Sequence, residues 1–174
     1  MGLSVAIAGG IVMFSMIYVM LTLPNMIDQT VSINKASSEI AEIENSILKT
    51  NMAMSSFTVT DTANGYVQFE IENLGTEKMW NFTNFDVLVT YQISSSPWNR
   101  TESLTYSEEC NPLPASGNWC RQSISNDNID PKILNNGETL TARGKVSQTI
   151  DSGLVTAVVS SNNGVVTART YSVP

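Results

Sequence analysis

Three acidic side chains, Asp127, Asp130 and Glu138, lie close together in a polar stretch, and their carboxylate oxygens are of the type that calcium selects. Their spacing matches no regular calcium loop, so they read as solvated loop acids and no metal is expected. Histidine is absent from the chain. That removes the commonest general base, the commonest metal ligand and every Ser-His or Cys-His pair at once. With no other constellation of carboxylates, the residues point away from an enzyme and from any cofactor.

Two cysteines remain. Cys110 and Cys120 bracket a loop whose two prolines and one glycine keep it from becoming helix or strand. Their spacing fits neither a CxxC redox pair nor a zinc site, which two ligands do not fill. One intrachain disulfide is therefore expected, stabilising the fold by about 3 kcal/mol on the loop-entropy model and implying an oxidising compartment outside the cytoplasm. The alternative is a pair of thiols in a reducing one. Asn81-Phe-Thr83 and Asn99-Arg-Thr101 are formal glycosylation sequons, but a chain this rich in Asn, Ser and Thr carries that many by composition.

These groups must be positioned by something, and the dominant element is the start of the chain. Residues 3–23 contain no charged side chain, and as a helix they span roughly 31 Å, matching a hydrocarbon core of about 30 Å. A secretory signal would need a basic flank, and no Lys or Arg precedes Lys35. A core helix would show a stripe, whereas here apolar residues run all round. A retained anchor is expected over residues 1–24. Gly2, Ala6 and Gly10 give it a small-residue face suited to close helix packing, and Ala6 stands where a myristoylation signal wants Ser or Thr.

Pro24 removes a backbone donor at the membrane exit and predicts a kink. Beyond it, Ile33, Ala36, Ile40, Ile43 and Ile47 alternate steps of three and four, with Lys35, Glu39, Glu42 and Glu44 between them. This spacing predicts an amphipathic stalk over residues 25–54, whose seam docks on the following domain or on a neighbouring subunit's helix.

From Ser55 the period drops to two. Phe57 and Val59, then Val67, Phe69 and Ile71, alternate with polar residues around the turn Asp61-Thr62-Ala63-Asn64-Gly65, which predicts a hairpin with one wet face. Residues 86–93 read as a strand, and 154–159 and 165–171 flank Asn163-Gly164, a strong hairpin signal. Weaker strands are expected over 103–107 and 138–146, with Gly144 as a bulge. About seven strands over residues 55–174 predict an immunoglobulin-like β-sandwich, so the fold class is mainly β with an N-terminal helix. The net charge is −7, which argues against nucleic acid as a partner.

Several of these segments carry a resemblance. The start Met1-Gly2-Leu3-Ser4 running into an apolar helix, the run Phe69-Glu70-Ile71-Glu72-Asn73-Leu74-Gly75 followed by Phe85-Asp86-Val87, and the stretch Asp127-Asn128-Ile129-Asp130-Pro131-Lys132-Ile133-Leu134-Asn135-Asn136-Gly137-Glu138 resemble the archaeal flagellin-like family. Within it they are most similar to the branch of archaellum accessory proteins F and G, with the start nearest to F. The resemblance implies a single-pass membrane protein with a non-enzymatic β-sandwich outside the cell membrane. Its partners would be the surface-layer protein or a sister flagellin-like subunit, and its role that of a static anchor for the archaellum motor. Filament-forming relatives, which self-associate through the N-terminal helix, are the alternative. They are usually processed after a basic residue and glycine, whereas Gly2 here follows only Met1, and pilins carry an early Glu, whereas the first acid here is Asp28.

Overall fold

The computed structural model describes residues 2–93, 98–108, 110, 113–127 and 130–174. The chain divides into two compact units, Met1–Glu44 and Asn45–Pro174.

The first unit is helical. Helix α1 (Gly2–Lys49) is continuous over 48 residues and runs through Pro24. Its hydroxyls turn back on the helix: Ser15 Oγ donates to the Ile11 carbonyl and Thr22 Oγ1 to the Tyr18 carbonyl, both at 2.9 Å. Such back-bonding gives each of these two hydroxyl hydrogens a partner within the helix. From Ile7 onward the described apolar side chains are exposed on every side of the helix. Gly10 has open space beside it; the side chains of residues 2–6, and so most of the small-residue face, lie outside the described set.

The second unit holds eight strands. They are β1 (Met52–Asp61), β2 (Tyr66–Asn73), β3 (Asp86–Gln92), β4 (Asn99–Tyr106), β5 (Asn118–Ser125), β6 (Thr139–Lys145), β7 (Gly153–Ser160) and β8 (Val166–Val173), in the spatial order β1-β2-β6-β5-β4-β3-β7-β8. Every pairing is antiparallel except β4 with β5, which pair in parallel through only Thr105 with Asn118 and Tyr106 with Trp119. That short seam separates two four-stranded halves, whose inner faces bury Phe69, Ile71, Tyr91, Trp119, Leu134 and Leu140 between them. The result is a sandwich on the verge of a barrel. Its centre is aromatic, with Trp119 lying 5.8 Å from Phe69 and 4.8 Å from Tyr106 between ring centroids.

The structure corrects three expectations. There is an eighth strand, β5, which puts Trp119 and Cys120 side by side in the interior and carries a register shift between Arg121 and Ser123, so its sequence shows no alternation. The helix stops at Lys49 and β1 begins at Met52, ahead of the expected boundary at 54. Here Thr50 turns its hydroxyl onto the Ser46 carbonyl at 2.8 Å and ends the helix.

Nor is Gly144 a bulge. It pairs in register with Val67 on β2 and with Trp119 on β5, and the bulges fall in β1 and β5. What Gly144 provides is space, because a Cβ there would stand 2.7 Å from Leu104 Cδ1 and 3.1 Å from Val67 Cγ2. Gly144→Val should therefore destabilise the fold by about 3 kcal/mol through overpacking, read as a lower urea midpoint with an unchanged denaturant slope.

Candidate interaction surfaces

The three acids first considered for calcium do not converge. Asp130 pairs with Lys78. Asp127 Oδ2 accepts from the Lys132 amide at 3.0 Å, while Glu138 Oε2 accepts from the Asn135 amide at 2.8 Å and is buried. The last two each close a turn, and no group of three metal-ligating side chains occurs among the described residues. Asn128 and Ile129 lie outside those residues.

Cys110 and Cys120 are joined, with their Cα atoms 5.4 Å apart. The bond ties the β4-β5 connection to a buried position on β5, next to the seam where the two halves are held by only two residue pairs. Glu109, Asn111 and Pro112 of the loop lie outside the described residues. A second clamp crosses nearby, where Glu102 on β4 accepts from Tyr91 Oη at 2.8 Å and from the Ser147 amide at 3.0 Å. Burial first, and the adjacent Glu102 second, push the Tyr91 hydroxyl up from its ordinary range.

The sequons differ in setting. Asn81 sits before a single 3₁₀ turn, Phe82–Asn84, with its amide oxygen accepting from Thr83 Oγ1 at 2.7 Å, whereas Asn99 is exposed at the start of β4. The stalk residues Ile33, Ala36, Ile40, Ile43 and Ile47 are all exposed.

Two features went unnoticed in the sequence because their partners are far apart along it. The first is a knot at the foot of the β unit. Asn73, fully buried, donates through Nδ2 to the carbonyls of Glu77 at 2.8 Å and Leu134 at 3.0 Å, and accepts from the Gly75 amide at 3.0 Å. The loop so shaped donates the amides of Leu74 and Gly75 to the Asn51 carbonyl, and those of Thr76 and Glu77 to the Lys49 carbonyl, at 2.8–3.2 Å. Asn163 Nδ2 adds bonds to Ser46 Oγ and Thr50 Oγ1. The Lys49 carbonyl, one of those a helix end leaves unsatisfied, is thereby met.

The second is a division of charge between the two outer faces. On β4-β3-β7-β8, Thr101, Thr90, Thr156 and Thr170 form one row across all four strands, flanked by the row Ser103, Leu88, Val158 and Ala168. Threonine hydroxyls link neighbours at 2.9 Å. Asp86 is the one charged side chain on the outward positions of these four strands. The outer face of the other half instead carries Glu70, Glu72, Arg143 and Lys145, the last stacked 4.9 Å over Tyr66. A wide neutral face with exposed Leu154 and Val166 is of the kind that can be desolvated at low cost, since no ion has to be stripped of water.

No protein-family model matches the chain, and no curated protein matches it. Solved structures do. The archaellum periplasmic stator protein FlaG from Sulfolobus acidocaldarius is 16% identical with a TM-score of 0.50, the match covering 70% of this chain and 99% of that one. The archaeal flagellum of Methanospirillum hungatei strain JF1 is 12% identical with a TM-score of 0.56, over 96% of this chain and 92% of that one. The archaellum periplasmic stator protein complex FlaF and FlaG from Sulfolobus acidocaldarius gives 16% identity and a TM-score of 0.49, over 69% and 87%. At these identities what is shared is the fold.

Proposed function

We propose that this chain is a membrane-anchored structural component of the archaellum, in which the apolar part of α1 crosses the cell membrane and the sandwich stands outside it as a static anchor. The observation that carries the reading is the fold, an apolar helix followed by a sandwich that matches the whole of a stator protein's solved domain. The disulfide supports an oxidising location for the β unit. In this reading the neutral face of β4-β3-β7-β8 meets the surface-layer protein or a sister flagellin-like subunit. Neither catalysis nor a cofactor has a part in it.

A second reading has its own support. The flagellar filament structure matches helix and sandwich together, over 96% of this chain, as expected if the chain polymerises through α1 with Ile33, Ala36, Ile40, Ile43 and Ile47 packed against neighbouring helices. Mass spectrometry of the native N-terminus, together with velocity sedimentation of the extracted protein, separates the two. The anchor predicts an intact Met1 or Gly2 start and small discrete assemblies. Trimming into the apolar stretch with long homopolymers would replace it by the filament subunit.

A further inference from the structure

The sheet nearly closes on itself, but β1 and β8 lie at its two ends and share no backbone ladder. At one end of the gap side chains do the joining. The Met54 amide donates to Thr167 Oγ1 at 3.0 Å, and the Arg169 guanidinium donates to the carbonyls of Met54 at 3.1 Å and Ser55 at 2.6 Å. An inward charge of this kind blunts a strand edge against further pairing. Towards the other end no such bridge occurs among the described residues, and a groove of about 600 Å³ opens between the strands, with Val59, Thr60 and Asp61 on one side and Tyr171 and Val173 on the other.

Backbone geometry gives this groove a definite character. In an antiparallel ladder alternate residues turn both their N–H and C=O away from the partner. Met54 is one of these, as its bonds across the gap show, and past the bulge at Ser55 the alternation turns Phe57 and Val59 the same way. Strands β1 and β8 run in the same direction, since Met54 lies by Thr167 and Val59 by Tyr171. A strand entering the groove in the opposite sense is therefore antiparallel to both, which is the more stable pairing.

Charge selects the guest further. Asp61 and Asp151 line the groove, and neither forms an ion pair within the described residues. The side-chain amide and backbone N–H of Asn64 bond the Asp61 carboxylate and hold it ionised below the usual range.

We propose that the β1/β8 groove is a peptide-binding cleft that takes an extended segment of a partner protein as an added strand. The segment alternates apolar and small polar residues and carries a lysine or arginine beside them. Main-chain bonds supply affinity in this mode and side-chain pockets supply specificity. The groove runs along the open edge of β8 and not across the outer face of β4-β3-β7-β8, so the inference does not depend on the anchor reading.

The test uses the detergent-solubilised full-length chain and a fluorescent probe, a seven-residue peptide of sequence Lys-Val-Thr-Val-Thr-Val-Lys blocked at both ends. We expect saturable binding, with hydrogen-exchange protection appearing at Phe57 and Val59 on β1 and at Thr170 and Ser172 on β8, whose amides face the gap. A copy of the peptide methylated on alternate backbone nitrogens keeps every side chain and charge but cannot join a ladder, and it should bind at least tenfold more weakly. Asp151→Asn should weaken the unmethylated peptide severalfold at low salt. Equal binding of the two peptides, protection confined to other strands, or no binding at millimolar peptide would each overturn the cleft.

Discussion

Gly75→Ala is expected to lower the stability of the β unit by about 3 kcal/mol or more. A Cβ at this position would stand inside contact distance of the Lys49 carbonyl oxygen and the Asn51 amide nitrogen, both backbone atoms that no rotamer change can move. To make room, the loop has to withdraw, and it takes with it the amides of Leu74 and Gly75 from Asn51 and those of Thr76 and Glu77 from Lys49. Overpacking alone costs about 1–3 kcal/mol, and each abandoned hydrogen bond adds about 1 kcal/mol. Urea unfolding followed through the buried Trp119 would measure the loss, and hydrogen exchange should show protection vanishing first at Leu74, Gly75, Thr76 and Glu77. A midpoint within error of the parent's would mean that the knot bears no weight.

The second large effect is expected in α1. The double substitution Val12→Asp with Met16→Asp places two carboxylates one helical turn apart in the apolar stretch, where each opposes insertion by about 2.5–3.5 kcal/mol. The parent chain should stay with the membrane through alkaline carbonate extraction, and the double variant should pass to the supernatant. Ser37→Asp, in the polar half of the helix, should leave partitioning unchanged and so control for expression and folding. If the double variant sediments with the parent, residues 3–23 do not anchor the chain.

How far the fold was legible in the sequence depends on whether each strand has one wet face. Strand β2 alternates through all eight residues and β6 through all seven, and β7 nearly so, because each has one buried and one open side. In β5 the bulge brings Trp119 and Cys120 inward together and leaves polar residues after them, so periodicity fails just where the strand is most buried. Gly144 looked like an irregularity because a glycine in a strand announces a missing side chain without saying what fills its space. Here it is Leu104, forty residues earlier in the chain.

The cysteine pair was legible because its spacing leaves few other chemistries. Asn73 was legible only as the end of a strand. Its role as a buried hub depends on Leu134, sixty-one residues away, and nothing local announces such a partner. The same holds for the acids. Asp130 and Lys78 are fifty-two residues apart, so a stretch that reads as an acidic cluster is distributed among separate turns once folded.

The knot at Lys49 and Asn51 also decides how a tensile load on α1 would enter the sandwich. Were the helix joined to β1 alone, tension would arrive at the end of an outermost strand and unzip its bonds to β2 one at a time. The four amides of Leu74, Gly75, Thr76 and Glu77 instead hand part of the pull to the loop that closes β2, which is flanked on both sides by β1 and β6. Bonds on both sides of β2 then share the load. In a single-molecule extension trace the intact chain should give one high rupture force, and Gly75→Ala a lower one preceded by a short step as β1 peels away.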